Sequence, residues 1–374
     1  MAWETLAAIA AEIKSPAEAR HNRLGYAWTY GQRDGADDKH TGDFAAYRIG
    51  RATGLGASFV GVEWTSMRVG HWFKTEGFFP GSTHVFFLAY DITDNYLGTV
   101  FYVIMNWDTY KIQMVSYNPL TAITTLVDEC NDVTPISGNI NDWKHISLYL
   151  NNSTNSAKFW VNGELLLSGA PAHGLSTIQY VYVADGGYLA DLGGYLFSDD
   201  LYFDYSTSSE VDDTPPARRY YPALPDGAGT YTNWDPDTGN NYERVDDPSD
   251  PDNDTSYVTT DTDANVDTYT FAALSSVVPE ANPESALVQA YVRTSPIDGG
   301  IAKLKFTSRL AATDVTTSAQ RIRRQQSQYW VAGRVYLDWT VLTGYFDTRP
   351  GLGGEWTEAD FNNAEFGIES DGII

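Results

Sequence analysis

Between residues 156 and 167 this chain spells out a strand, a two-residue turn and a return strand, and that sequence of events restricts the fold more than any other feature. Ala157, Phe159 and Val161 alternate with Lys158, Trp160 and Asn162, the period of two that a pleated strand requires. Asn162-Gly163 then supplies the two positive φ angles of a tight hairpin. Comparable runs precede and follow it at 59–64, 67–74, 83–91, 98–105, 110–115, 143–150, 178–184 and 195–205, with turn residues between them. Strands repeating at such short spacing predict a sandwich or barrel. No amphipathic helix of crossover length interrupts the series, so an α/β sheet is excluded. In 67–74 both alternating sets contain apolar residues, which predicts a strand covered on both faces.

The 374 residues exceed what one core ordinarily organises, and two domains are expected. Residues 1–20 read as an arm or short helix, since Leu6, Ile9, Ala10 and Ile13 recur at roughly helical spacing before Ser15-Pro16 stops it. Residues 21–205 form the first β domain. From 205 to 267 there are 15 Asp and Glu against 3 Lys and Arg, together with Pro215-Pro216, Pro222 and Pro225, so 206–230 reads as an acidic, proline-rich linker. A smaller β domain is expected over 231–374, with strands at 268–271, 286–293, 301–307 and 329–341. In the second of these, Ala286, Val288, Ala290 and Val292 mark the inward face.

A net charge of −25 repels phosphate backbones and excludes nucleic acid as an expected partner. No segment has the length and apolarity of a membrane span. The acidic N-terminal stretch does not read as a signal peptide, so synthesis in a cytoplasm is expected. Cys130 is the single cysteine, which rules out an intrachain disulfide. It lies in Asp128-Glu129-Cys130-Asn131-Asp132, where carboxylates disfavour an anionic nucleophile.

Several phrases resemble the concanavalin A-like lectin/glucanase jelly roll in its laminin-G-like form. They are Gly42-Asp43-Phe44, Arg68-Val69-Gly70-His71-Trp72-Phe73-Lys74, Asp142-Trp143-Lys144-His145-Ile146, Phe159-Trp160-Val161-Asn162-Gly163-Glu164 and Phe197-Ser198-Asp199-Asp200-Leu201-Tyr202-Phe203-Asp204. The resemblance implies an all-β fold, a jelly-roll sandwich followed by a second, smaller β-sandwich-like domain. It leaves function open, because that fold hosts lectins, glycanases and passive modules. Tyr231-Thr232-Asn233-Trp234-Asp235-Pro236, Asn241-Tyr242-Glu243-Arg244-Val245-Asp246-Asp247, Asp267-Thr268-Tyr269-Thr270-Phe271 and Glu365-Phe366-Gly367-Ile368-Glu369 resemble C-terminal modules of tailed-bacteriophage virion proteins. That implies a part exposed on a particle head or tail and assembled in the host cytoplasm, with other virion proteins as partners.

The chemistry of a glycanase requires paired carboxylates flanking the scissile bond, and the Glu-x-Asp-x-x-Glu strand pattern is missing from the sequence. Glu358-Ala359-Asp360-Phe361-Asn362-Asn363 comes nearest and lacks the last carboxylate. A lyase of this fold would use a His and a Tyr on neighbouring strands, and His71, His84 and His145 lie in strands. No zinc cluster, nucleophile elbow or phosphate loop is present, so no catalytic residue is assigned. Calcium is the one cofactor the residues suggest. Asp246, Asp247, Asp250, Asp252 and Asp254 form the densest acidic run, with Asp185, Asp199 and Asp200 a smaller set; a solvated acidic loop is the other reading of such a run. Trp107, in Asn106-Trp107-Asp108, is the candidate sugar-stacking residue. Arg321, Arg323 and Arg324 are the one local excess of positive charge, a candidate subunit contact or a solvated strand end.

The expectation is therefore a non-enzymatic virion structural protein, a capsid decoration, head-fibre or tail-associated part, acting as a homo-oligomer. The alternatives are an adhesin that binds host surface glycans through the jelly roll, and behind it a polysaccharide hydrolase or lyase.

Overall fold

The hairpin at Asn162-Gly163 closes as its two residues dictate, with φ of 51° and 81° and Val161 opposite Glu164. The computed structural model describes residues 4–9, 32–33, 47–49, 55–58, 63–76, 83–93, 96–106, 109–118, 121, 123–131, 142–172, 174–175, 178–183, 195–208, 213–217, 221, 223–246, 256–277, 283, 285–292, 302–322 and 340–372. The chain divides into two compact units between Tyr220 and Tyr221.

The first unit is built from β1 (Glu4–Ile9), β2 (Gln32–Arg33), β3 (Tyr47–Ile49), β4 (Leu55–Ser58), β5 (Ser66–Glu76), β6 (Thr83–Thr93) and β7 (Tyr96–Asn106). It continues with β8 (Lys111–Asn118), β9 (Ile123–Cys130), β10 (Lys144–Asn151), β11 (Ser156–Val161), β12 (Glu164–Gly169), β13 (Ile178–Val183) and β14 (Tyr195–Ser206). These make two antiparallel sheets. The eight-stranded one runs β12-β11-β10-β5-β14-β3-β2 with β1 also on β14, and the six-stranded one runs β4-β13-β6-β7-β8-β9.

The sheets meet through the residues that alternation predicts. Met67, Val69, His71 and Phe73 of β5, with Ile146, Leu148 and Phe159, are buried against Phe87, Phe101, Val103, Met105, Ile112 and Met114 of the other sheet. Phe86 stacks on Phe159 at 6.0 Å and meets Phe73 edge-on at 5.3 Å. Each large apolar side chain so buried contributes roughly 1.5–3 kcal/mol. This is a β-sandwich of jelly-roll type, and the all-β expectation holds.

The far side of the eight-stranded sheet is closed as well. Ser66, Arg68, His145, Ser147, Tyr149, Trp160, Tyr202 and Asp204 are all under a tenth exposed. Arg68 Nε donates to Asp204 Oδ2 at 2.7 Å, and Asn151 Nδ2 donates to Ser66 Oγ and Tyr149 Oη. The chain after β14 ties down over this layer. Ser66 Oγ donates to the Ser208 carbonyl, Lys158 pairs with Asp213, and Tyr202 Oη donates to the Pro216 carbonyl at 2.8 Å. Gly70 is required here, because a Cβ would strike the Tyr202 ring. The strand expected to be covered on both faces is so covered.

Three expectations change, and a fourth lies mostly outside the described residues. Glu4–Ile9 is a strand and not a helix, paired with Leu201–Tyr205 of β14, so a tertiary partner overrides the helical spacing. The predicted linker 206–230 is not a free tether. Its first part binds the jelly roll as above, and from Pro225 it is strand. Glu63 and Trp64, read as the end of a strand, lie outside any strand. In 329–341 only Thr340 and Val341 fall within the described residues, at the start of a strand.

The second unit holds β15 (Pro225–Thr232), β16 (Asp235–Pro236), β17 (Val258–Thr259), β18 (Val266–Phe271), β19 (Ala286–Val292), β20 (Lys303–Leu310), β21 (Thr313–Thr316), β22 (Gln320–Arg321), β23 (Thr340–Phe346) and β24 (Glu365–Asp371). Its main sheet runs β15-β18-β24-β20-β21, with β22 also on β20. The β19-β23 ribbon packs on that sheet through Ala286, Leu342 and Phe346 against Phe306, Phe366 and Ile368. Gly344 lets the ribbon approach, since a Cβ there would enter the Phe306 ring. A short helix, Glu358–Asn363, is capped by Thr357, whose Oγ1 accepts from Asp360 N. Asp267 is buried and accepts from Asn241 Nδ2 at 2.6 Å and Tyr269 Oη at 2.7 Å. Burial pushes its carboxyl up, against the pull of those donors. The triad pins the 3-10 turn Asn241–Arg244 to β18.

Candidate functional site on the six-stranded sheet

Strands β7, β8 and β9 leave one face partly open where β5 and β10 hide theirs, with Val115 buried in its middle. Alternation sends Phe101, Val103, Met105, Ile112 and Met114 into the core. The intervening Tyr102, Ile104, Asn106, Lys111, Gln113 and Tyr117 are left half-exposed on the other side. The register sets them in rows: Asn106 beside Lys111, Ile104 beside Gln113 and Glu129, Tyr102 beside Val115 and Leu126, and Tyr117 beside Thr124. From Lys111 to Tyr117 the face is about 20 Å long at the usual rise per strand residue.

Two kinds of group share this face. Tyr102 on β7 shares a hydrogen bond with Thr124 on β9, so its ring reaches across β8. Its hydroxyl is pushed above the ordinary tyrosine value chiefly by burial, with Tyr117 close enough to add to the effect. At the other end Glu129 accepts from Lys111 Nζ at 2.6 Å and Gln113 Nε2 at 3.0 Å. Those two hydrogen bonds hold the carboxyl below its usual range, so it is an anion with a fixed orientation. Leu126, 49% exposed, lines the outer edge on β9. Flat rings beside an oriented carboxylate and a side-chain amide, all on strands, form a rigid surface that can stack on an apolar ring face and bind its hydroxyls.

Most of the sequence-predicted residues lie outside the described residues. Trp107 is one of these. Asp246 is exposed just after the 3-10 turn, and Asp247, Asp250, Asp252 and Asp254 lie outside the described residues. Among the described residues no cluster of three metal-binding side chains occurs. Arg321 is in β22, paired by backbone with Lys303, while Arg323 and Arg324 lie outside the described residues. Of the histidine candidates for a lyase site, the side chain of His84 lies outside the described residues, and those of His71 and His145 point to opposite faces of their sheet. His71 is buried between the sheets, edge-on to Phe87 at 5.8 Å. Burial lowers its pKa to about 3, and His145 nearby adds to the effect. His145 pairs with Trp72 rather than His71 in the ladder, so it projects from the opposite side of the sheet. It is buried there, its ring stacked at 6.3 Å on Tyr202. Cys130 is half-buried at the end of β9.

Sequence reasoning missed Tyr102, Gln113, Tyr117 and Glu129. The signal was present in the alternation of residues 111–117, where Ile112 and Met114 mark the inner set and so hand Gln113 and Tyr117 to the outer one.

No protein-family model matches the chain, and no curated protein matches it. Solved structures share parts of its sheet arrangement at low similarity. A sialidase of Trypanosoma rangeli is 11% identical over 43% of this chain with a TM-score of 0.30, and this chain spans 25% of the sialidase. Domain 4 of AbnA, an extracellular arabinanase from Geobacillus stearothermophilus, solved with arabinotriose, is 14% identical over 54% of this chain and 93% of its own, with a TM-score of 0.37. The carbohydrate-binding module CBM66 from Bacillus subtilis is 7% identical over 49% and 98%, with a TM-score of 0.32. Likeness at this level assigns no activity to the chain.

Proposed function

We propose that this protein is a non-catalytic glycan-binding protein whose jelly roll engages a carbohydrate on the open face of β7, β8 and β9. The observation that carries the reading is the juxtaposition of Tyr102 and Tyr117 with Gln113 and Glu129 on one exposed sheet face. Aromatic rings bury the C–H face of a sugar, and an oriented carboxylate accepts from its hydroxyls. A binding rather than a hydrolytic role is favoured because the described residues of the face offer one carboxylate, Glu129, where glycoside hydrolysis uses two flanking the bond. Among the described residues His145 does stack on a tyrosine, Tyr202, but both are buried, which speaks against an open His–Tyr lyase pair there.

Carriage on a virus particle remains part of the proposal through the sequence resemblance of the second unit alone. Display in several copies would suit a shallow site, since linked weak contacts gain avidity. The direct test is calorimetric titration of the full chain with a panel of oligosaccharides, repeated with Tyr102→Ala and Tyr117→Ala. Saturable binding that each substitution weakens at least tenfold is expected. Binding that both substitutions leave unchanged would put the site elsewhere.

A further inference from the structure

On the premise of that glycan-binding reading, we infer that the β7–β9 face selects neutral glycan chains and rejects those bearing carboxylates, such as uronates or sialic acids. The selecting group is Glu129. It stands in the row with Ile104 and Gln113, between the aromatic rows and the Asn106–Lys111 end of the face. Any chain lying along β8 from Tyr117 to Lys111 therefore passes the carboxylate.

The cation needed to hold an anionic sugar is already committed. Among the residues of β7, β8 and β9, Lys111 is the only positive side chain, against Asp128 and Glu129. Its ammonium donates to Glu129 at 2.6 Å. Asp128 is engaged as well, accepting from Glu129 N at 2.9 Å and from Ser168 N at 2.8 Å. A sugar carboxylate would have to break the Lys111–Glu129 pair or face Glu129 as a like charge, and either disfavours it. The chain's net charge of −25 adds a long-range repulsion toward polyanions.

What remains suits a neutral sugar. The Glu129 oxygens accept from hydroxyls, Gln113 and Asn106 carry amides that donate and accept, and Tyr102 and Tyr117 cover C–H faces. A carboxylate between two donors is also a positional reader. It rewards a hydroxyl and penalises its replacement, because the hydrogen bond to the carboxylate would be lost.

The test uses the full chain in affinity gels cast with neutral polysaccharides (laminarin, xylan, arabinan) and, separately, with alginate and polygalacturonate at low salt. Retardation by at least one neutral chain is expected, with the polyuronates at least tenfold weaker. Glu129→Gln should weaken the neutral ligand about tenfold while its melting temperature stays at the wild-type value, and Lys111→Met should not improve alginate binding. If alginate or polygalacturonate binds more tightly than every neutral chain and Tyr102→Ala abolishes that binding, the selectivity is overturned and the site stands. If no retardation in either set depends on Tyr102 or Tyr117, the glycan-binding reading falls and the selectivity with it.

Discussion

The two outer faces of the jelly roll are made from the same kinds of residue and put to opposite uses. On the eight-stranded sheet, Tyr149, Trp160, Tyr202, His145, Arg68 and Asp204 are buried; Arg68 donates to Asp204, Tyr202 donates to the chain that follows β14, Tyr149 meets Trp160 edge-on and His145 stacks on Tyr202. On the six-stranded sheet, Tyr102, Tyr117, Gln113, Lys111 and Glu129 remain in contact with water. Aromatic and charged residues on a sandwich's outer surface therefore do not by themselves mark a ligand site. The distinction is whether the polar groups have been satisfied and covered by the protein itself, since a buried group must find its partner internally. The covered face is part of the scaffold, and the open face retains capacity for another molecule.

Substitutions that separate the two faces test this contrast. The largest effect is expected from Asp204→Ala, which strands the buried Arg68 guanidinium. Urea unfolding should show a loss of about 3–5 kcal/mol, with glycan affinity unchanged in the folded fraction. A next effect comes from the sandwich interior. His71 has a folded value of about 3 against its ordinary 6.5. Between those pH values the unfolded chain binds more protons, so the stability that neutral His71 preserves is complete above pH 6.5 and is lost as pH falls toward 3. His71→Phe should flatten that part of the stability–pH curve, and an unchanged slope would show that other groups govern it. Tyr202→Phe removes one hydrogen bond to the Pro216 carbonyl and should cost about 1 kcal/mol in the same unfolding experiment. Glu129→Gln should leave the melting temperature unmoved, because Glu129 and Lys111 are solvent-accessible, and it should act on glycan affinity alone. A stability loss from Glu129→Gln as large as that from Asp204→Ala would erase the contrast.

Much of the fold could be read from the chain before any coordinate. Alternation in 67–74, 98–105 and 143–150 located β5, β7 and β10, and Asn162-Gly163 located the hairpin, because a strand with a buried face must write its period into the sequence. The strand β9 was missed for the complementary reason. As the edge strand of its sheet, it buries little, and Ile123, Thr124, Thr125 and Leu126 are all exposed, so no inward set stands out. The strand β1 was misread because pairing with β14, which no local pattern reveals, decides its conformation. The proposed site on the open face was not legible as a place, and Trp107, the tryptophan the sequence offers, lies outside the described residues. A search for exposed tryptophans led to Trp107, whereas the open face rests on tyrosines whose direction depends on register across three strands. Nor could the sequence show that Trp160 and Tyr149 are covered, since the covering chain lies some fifty residues further on, at Asp213 and Pro216.

The central claim is that the open face, and not the covered one, meets the ligand. Amide and side-chain chemical-shift mapping of the full chain during titration with a neutral oligosaccharide that binds in the gel assay tests it most directly. The account predicts that saturable shifts concentrate at Tyr102, Gln113, Tyr117, Thr124 and Glu129, while Tyr149, Trp160 and Tyr202 stay fixed. Shifts concentrated on Tyr149, Trp160 and Tyr202, with the β7–β9 face unmoved, would contradict it.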